Sequence, residues 1–471
     1  SPRLKVLLNL KNTYTNHLYN HQSMKKFLII TLLIFAISAK SQTSKQSYAF
    51  SLQQAISHAL TNNYTAINAG RDIESAQQKK WETTASGLPQ ISAGLDYLNN
   101  FDFTLQGVSG NAFNPAGDPN GISTFAFGTK HNMTGRATLS QLIFDGSYIV
   151  ALQASKTYLQ YYQNAKQKTD ISVKEMVINA YGNVLLSEES MAILEKNKAT
   201  LTKTLSDTQE TFKNGLIEEE NVEQLQITLA SVNSNLNNVK RLNDIAMKML
   251  KITLGIEIND DLKLTDKLDT LTTNNLDLAI TKDTFSVSDN IDYQMMVNFN
   301  EQRRLELKLQ KSKALPSLAA NLNYGYNAFS NNFSFFTPDQ KWNKFSNLGV
   351  GLNVPIFSSF GRSAKTQQAK IAFEQAKTQL IETEQKLQLQ YESARSEYEF
   401  SIEEYATSKS NLNLAERIEK KQQIKFTEGL SSSFDFSEAQ RQLYTAQQNY
   451  LQSMVNIINK KAALETIINK K

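Results

Sequence analysis

Leu315-Pro316-Ser317-Leu318-Ala319-Ala320-Asn321-Leu322-Asn323-Tyr324-Gly325-Tyr326 decides the fold, because its polarity alternates and because the chain carries its pattern twice. Leu318, Ala320, Leu322, Tyr324 and Tyr326 face one way, with Asn321, Asn323, Gly325 and Asn327 opposite. Upstream, Leu88-Pro89-Gln90-Ile91 opens the same pattern, with Ile91, Ala93, Leu95 and Tyr97 set against Gln90, Ser92, Gly94 and Asp96. Met133, Ala137 and Leu139 alternate with Thr134, Arg136, Thr138 and Ser140. Leu348, Val350, Leu352 and Val354 alternate with Asn347, Gly349, Gly351 and Asn353. Period two is the signature of a strand, and about ten residues of it suit one lipid face and one wet face. On these strands alone, an ordinary half-buried surface sheet is the better reading.

The duplication extends along the chain. Ile143-Phe144-Asp145-Gly146 returns near Ile356-Phe357-Ser358-Ser359, and Phe212-Lys213-Asn214-Gly215-Leu216 returns as Phe426-Thr427-Glu428-Gly429-Leu430. The copies lie about 227, 213 and 214 residues apart for the Leu-Pro, Ile-Phe and Phe-x-x-Gly-Leu elements, so their order is kept. Two copies of one long unit make the whole chain the functional object. The units expected are 49–254 and 289–468, joined by a connector over 255–288 that is rich in Asp, Thr and Leu.

Proline is scarce. Of 471 residues only seven are proline, with none between Pro119 and Pro316 and none after Pro355. A proline inside a helix costs about 3 kcal/mol, so these gaps permit very long helices. Val173, Met176, Val177, Ala180, Tyr181 and Val184 share one helix face. Leu225, Leu229, Val232, Leu236 and Val239 step by four and three as a coiled-coil seam does. Leu387, Tyr391, Ala394 and Tyr398, then Ala439, Leu443, Ala446 and Tyr450, repeat that stepping, and all these stripes read as core. Each half therefore reads helix, strand, strand, very long helix, turn, helix. The long helices are expected near 147–213 and 361–427, roughly 100 Å each at 1.5 Å per residue. Flanking helices near 51–86 and 218–254 have about half that length and match one long partner if stacked end to end. Pro89 and Pro316 mark helix-to-strand transitions and Pro355 a strand-to-helix one, since a residue before proline avoids helical backbone.

Met24-Lys25-Lys26 followed by the apolar run Phe27–Ile37 and small residues near Ser38-Ala39-Lys40-Ser41 reads as an export signal. Residues 1–41 are expected to be upstream sequence and signal peptide, with Met24 as the start. They hold six of the 50 basic residues and no acidic ones, leaving 44 basic against 45 acidic. The basic excess belongs to the leader, so nucleic acid is not a partner. There is no cysteine, hence no disulfide framework and no thiolate metal site. Beyond the leader only His58 and His131 remain, far apart in sequence, and no metal-ligand cluster or phosphate-cradling loop is present. Asp260, Asp261 and Asp266 read as turn and capping residues. The chain has no catalytic constellation and calls for no cofactor.

An exported chain that enters a membrane without apolar helices must do so with strands. Four strands cannot close a barrel, and an open edge cannot stay in lipid with unpaired backbone groups. Several copies must then pool their strands; three would give twelve strands and room for a lumen.

The order of parts, the Leu-Pro elements and the Phe-x-x-Gly-Leu turns resemble the TolC family of outer-membrane efflux proteins, in two tandem repeats over about residues 49–468. The resemblance implies a fold that is mainly α with membrane β: a homotrimer whose very long antiparallel helices form an α-helical barrel continuous with a shared 12-stranded β-barrel. It implies a passive exit duct across periplasm and outer membrane, in contact with outer-membrane lipid. The energy would come from an inner-membrane pump of the RND or ABC type, reached through a periplasmic adaptor (membrane fusion) protein, in multidrug efflux or type I secretion. The adaptor would dock at the turns, with Gly215 and Gly429 as helix caps and Phe212, Leu216, Phe426 and Leu430 as apolar landmarks. Asp435 and Glu438 match acidic positions that narrow the tube in the family, although Ser432 to Asp435 also reads as a capping box. Ser431 stands where the best-known member has a tethering arginine, so the closing contacts differ. The competing reading is a periplasmic coiled-coil scaffold without a barrel; the amphipathic strand pairs and long polar loops speak against it.

Overall fold

The computed structural model describes residues 46–112, 115–282 and 285–468, and the export signal expected at 1–41 lies outside them. The first half comprises β1 (Ser47–Phe50), α1 (Leu52–Asn62), α2 (Tyr64–Ala85), β2 (Gln90–Asn99), β3 (Leu105–Ser109), β4 (Ile122–Ala126), β5 (His131–Asp145), α3 (Gly146–Lys213) and α4 (Glu219–Leu254). A connector follows with β6 (Asp261–Leu264), α5 (Leu268–Asn274) and two 3-10 turns, Leu278–Lys282 and Val287–Asp289. The second half is α6 (Ile291–Ser312), β7 (Ser317–Ser330), β8 (Trp342–Asn353), α7 (Gly361–Thr427) and α8 (Ser433–Ile467).

The four strands read from alternation form one antiparallel sheet in the order β2-β5-β7-β8. Pro89 and Pro316 immediately precede β2 and β7, where the missing N–H and fixed φ stop one geometry and admit the next. The apolar faces stay exposed: Ile91 is 78%, Leu95 64%, Leu348 69% and Leu352 65% accessible. A strand pair that buried its apolar side against the chain's own helices would not look like this. Among the described residues both β2 and β8 are open edges.

Each strand continues one helix, so helix order follows strand order. α2 packs on α3, α3 on α6, and α6 on α7. Away from the sheet, α4 packs on α3, and α8 on both α3 and α7. The two long helices have 68 and 67 residues, about 100 Å of rise. Helices of this length owe their stability to lateral packing more than to propensity. The main core sits at mid-length, where Val173, Val177, Tyr181 and Val184 of α3 meet Leu250 and Leu254 of α4, Tyr398 of α7 and Val455 and Ile458 of α8. Met176, expected on the same stripe, is 43% exposed.

The connector is tied into that core. β6 pairs in parallel with β1, setting Ser47 opposite Asp261 and Phe50 opposite Leu264. Asp260 Oδ1 accepts from Gln46 N at 3.0 Å, and Asp266 Oδ2 accepts from Leu52 N at 2.6 Å. The buried hydroxyl of Tyr181 lies 3.0 Å from the Phe50 carbonyl, and that of Tyr398 donates to the Asn275 carbonyl at 2.6 Å.

Three local features depart from the sequence reading. The helix expected over 51–86 is divided at Asn63, whose extended backbone (ψ 133°) ends α1 and whose side chain caps α2. The first of the long polar loops, residues 102–130 between β2 and β5, carries the β3–β4 hairpin. The second of the long polar loops, read between its strands at 329–345, is shorter, because β7 runs to Ser330 and β8 begins at Trp342. Pro355 lies in the strand-to-helix transition, where residues 354–360 join β8 to α7 and Ser359 and Phe360 have positive φ, 48° and 62°.

Candidate functional site

The far end of the molecule from the sheet consists of two hairpin tips, α3 to α4 and α7 to α8. Both use the same capping geometry. At the first, Leu216 N–H donates to the Thr211 carbonyl at 3.2 Å and Gly215 N–H to the Phe212 carbonyl at 2.8 Å. At the second, Leu430 N–H reaches the Lys425 carbonyl at 2.7 Å and Gly429 N–H the Phe426 carbonyl at 3.1 Å. This is the Schellman arrangement, which needs a left-handed residue after the helix; Gly215 (φ 72°) and Gly429 (φ 70°) supply it.

The helices leaving the tips start differently. α4 begins at Glu218 without a side-chain cap, with Glu219 and Glu220 in its first turn, a placement the helix dipole favours. α8 begins with a full capping box between Ser432 and Asp435. Ser432 Oγ donates to Asp435 Oδ2 at 2.8 Å, and Asp435 N–H returns to Ser432 Oγ at 3.1 Å. That hydroxyl, with the Ser432 N–H, holds the Asp435 carboxyl below the usual carboxylate range. One turn on, Glu438 accepts from Arg441 Nε at 2.8 Å and Nη2 at 2.5 Å, which with Gln442 pulls its pKa down to about 2. Both carboxylates are therefore anionic across the physiological range, but Arg441 offsets the charge of Glu438 and no cation offsets Asp435 so closely.

The two tips are stitched together. Ser433 N–H donates to Asn221 Oδ1 at 3.2 Å, and Thr228 Oγ1 lies 3.0 Å from Ser437 Oγ. Beneath them Leu201, Leu225 and Phe436 form a small dry cluster. Phe426, expected as an apolar landmark of the tip, stacks flat on Phe436, with centroids 5.5 Å apart and planes at 7°. It is a packing residue that also lines a groove of about 970 Å³ together with Thr204, Thr208, Leu216, Asn221 and Ser432. Leu216 and Leu430 project into solvent at 75% and 77% exposure, whereas Phe212 is only 37% exposed and lies outside the groove. Ser431 turns inward, its Oγ 3.1 Å from Gln422 Oε1 and 3.3 Å from Asp435 Oδ2.

Sequence reading expected, from local spacing, Gly215 and Gly429 as helix caps and Ser432 to Asp435 as a capping box. It missed Asn221 and Phe436, whose partners include residues of the other hairpin. The polar-apolar order of Phe434-Asp435-Phe436 was the available signal, since only one of the two phenylalanines can face the bundle; Phe434 is 65% exposed and Phe436 buried.

Residues 300–470 match the model of the family described as outer membrane efflux protein. Outer membrane protein TolC of Vibrio cholerae serotype O1 is 22% identical over 443 residues, 90% of this chain and 91% of that protein. The fold is similar to that of the Campylobacter jejuni CmeC outer membrane channel, with TM-score 0.67 and 17% identity over 88% of this chain and 85% of that one. The outer membrane protein VceC of Vibrio cholerae gives TM-score 0.66 and 15% identity over 88% of this chain and 95% of its own.

Proposed function

We infer, for a chain that is a member of the outer membrane efflux protein family, the work of an outer-membrane exit channel that extends into the periplasm. The observation that carries this is the four-stranded sheet with an exposed apolar face and two unpaired edges, continuous with helices of 68 and 67 residues. In lipid the edges must find partners, and copies of the same chain are the partners at hand. Three copies give a barrel of twelve strands with an open lumen above a tube of helices. Transport through such a duct is passive, and the chain does no covalent chemistry.

The two units, 49–254 and 289–468, then act as adjacent staves of the tube. The tips are the end that meets a periplasmic adaptor and, through it, an inner-membrane pump. Gly215 and Gly429 shape the docking surface, Leu216 and Leu430 offer its apolar points, and Phe426 holds the groove open from within. Asp435 and Glu438, repeated by threefold symmetry, supply an anionic constriction that admits cations and repels anions.

Separation of inner and outer membranes, followed by conductance of the purified protein in a planar bilayer, tests the reading. Recovery in the outer membrane with discrete cation-preferring channels supports it; a soluble product with no conductance rejects it. A photo-crosslinking side chain at Asn214 or Thr427 tests docking separately, and must capture an adaptor.

A further inference from the structure

We propose that the loop 331–341 is a membrane anchor and not a lid over the duct. It folds back onto the outer end of the sheet's apolar face and sets Phe333 and Phe336 among outer-leaflet lipids, where acyl chains meet anionic headgroups. This rests on the outer-membrane channel reading above and adds to it a lipid contact.

The register fixes which face the loop covers. Tyr97 pairs with Met133, Met133 with Ala328 and Ala328 with Trp342, so these four make one row across the sheet. Ile91, Leu139, Leu322 and Leu348 make another row, six residues away on every strand. Even spacing keeps both rows on one face, because side chains alternate along a strand. That face is the apolar one. Asp96, Thr134, Asn327 and Asn343 form a row on the other, wet face.

Phe335 is seated on the first row. It is buried with Met133 and Ala328, and its ring centroid lies 6.0 Å from that of Tyr97 and 6.4 Å from that of Trp342. Phe333 reaches farther, to Tyr97 at 5.6 Å and His131 at 6.4 Å. The loop therefore leaves the β7–β8 hairpin sideways, across β5 toward β2, and not over the wet face that lines the duct.

Hydrogen bonds hold it in that pose. Ser334 Oγ donates to Gln340 Oε1 at 2.8 Å, and Gln340 N–H donates to the Thr337 carbonyl at 3.2 Å. Thr337 N–H and Oγ1 both donate to the Ser334 carbonyl, at 3.0 and 2.8 Å. Lys130 N–H donates to Asn331 Oδ1 at 3.3 Å, which fastens this loop to the base of the first one.

In a loop so pinned, two large rings are left uncovered. Phe333 is 58% and Phe336 80% exposed, and their centroids lie 6.0 Å apart. They continue the apolar face upward and do not form a separate patch. Leu318 and Ala328 lie ten residues apart on β7. For a strand tilted by about 40° that is roughly 25 Å of height, the full apolar band of such a barrel. Phe335 thus sits at the outer boundary of the band, and Phe333 and Phe336 sit with it.

The neighbouring chemistry suits that boundary. Tyr97, Tyr324, Tyr326 and Trp342 are rings with one polar end, the type that gathers where lipid meets water. Lys344 lays its ammonium 5.2 Å over the Tyr324 ring, and Lys130 and Lys341 stand exposed beside the loop. A lysine stem follows apolar surface while its charge stays at the headgroups. Against these three cations the loop sets one carboxylate, Asp339. Anionic headgroups above acyl chains satisfy both the charges and the bare rings. Aromatic girdles at this depth are general among barrels; here a connecting loop is laid down on the girdle and enlarges it.

The test uses the full chain, which has no cysteine of its own, in vesicles of phosphatidylethanolamine and phosphatidylglycerol. Phe333→Cys, Phe336→Cys, Leu348→Cys and Asn343→Cys, all at exposed positions, each carry a nitroxide. Power saturation reads its collisions with oxygen, which concentrates in lipid, and with a water-soluble nickel chelate. Labels at 333 and 336 should favour oxygen several-fold more than the label at 343 and less than the label at 348. Labels at 333 and 336 that favour nickel as 343 does put the loop in water, and labels shielded from both reagents put it under protein. Either result, with 348 still in lipid, overturns the anchor and leaves the channel reading standing. A label at 348 that also favours nickel overturns both. As a second measurement, a bulky thiol reagent on Phe336→Cys should leave conductance in a planar bilayer unchanged. Block of conductance would place the loop over the mouth and overturn the proposal.

Discussion

Asn63 and Asn290, one in each half of the chain, make the same three hydrogen bonds. Asn63 Oδ1 accepts from Thr65 and Ala66 N–H at 2.8 and 3.2 Å, and its Nδ2 donates to the Thr253 carbonyl at 2.7 Å. Asn290 Oδ1 accepts from Asp292 and Tyr293 N–H at 2.8 and 3.4 Å, and its Nδ2 donates to the Ile467 carbonyl at 2.9 Å. Each amide thus caps the start of one half-length helix and satisfies the end of the other. It is the joint at which α4 stacks on α2, and α8 on α6, along a single long partner. Asparagine is suited to this place because its amide both donates and accepts.

Replacing Asn63 by Ala removes the cap and strands a carbonyl, at a cost of about 2 kcal/mol. Asn63→Ser keeps a capping oxygen but cannot donate across the joint, and its cost is about half. Thermal unfolding in detergent, with exchange of the Thr65 and Ala66 amides, separates the two. Equal stability of the three proteins would show that the joint contributes nothing.

Gly215→Ala and Gly429→Ala each force a side chain into left-handed backbone, at about 1 kcal/mol apiece. Nothing lies within 4 Å of a Cβ at either position, so the loss comes from conformation alone. Amide exchange at Leu216 and Leu430 should accelerate several-fold, with the mid-length core unaffected. Unchanged protection would mean that the tips are held by something other than the cap.

Asp435→Asn keeps an acceptor for the capping box and removes the charge; Glu438→Gln removes a charge that Arg441 already offsets. Cation selectivity, read as a reversal potential across a salt gradient, should fall more in the first variant than in the second. Because both carboxyls are depressed, selectivity should persist below pH 4 in the parent protein. Equal loss in the two variants contradicts the assigned difference.

Glu419 has the opposite character. Burial pushes its carboxyl up, against a weaker downward pull from the hydrogen bond that Gln440 donates. A raised folded value means that stability is fully present below the ordinary carboxylate range and is lost as pH rises through the folded pKa. Glu419→Gln should therefore unfold at a higher temperature than the parent at pH 8 and at nearly the same temperature at pH 4. A shift that is the same at both values would remove the electrostatic explanation.

What the residues disclosed by themselves was whatever depends on short-range pattern. Alternation around Leu322 and Leu352 gave the strands, proline-free stretches gave the long helices, and Gly215 and Gly429 gave their ends. What stayed hidden depends on partners distant in the chain. Asn63 can cap a helix, but a lone asparagine does not announce a break, and the Thr253 carbonyl that its amide also binds lies 190 residues away. β1 and β6 are four residues each and become strands only beside one another. Phe426 looks like a surface residue until Phe436 arrives from the next helix. The left-handed pair Ser359 and Phe360 has no glycine or asparagine to announce it.

The most direct test is the mass of the full-length protein extracted from the outer membrane in mild detergent, measured by light scattering with the detergent contribution removed. Three copies per particle, dissociating only on denaturation, is the result expected of a chain whose sheet has two open edges. A single copy that remains dissolved without detergent, its strands paired to nothing, would contradict it.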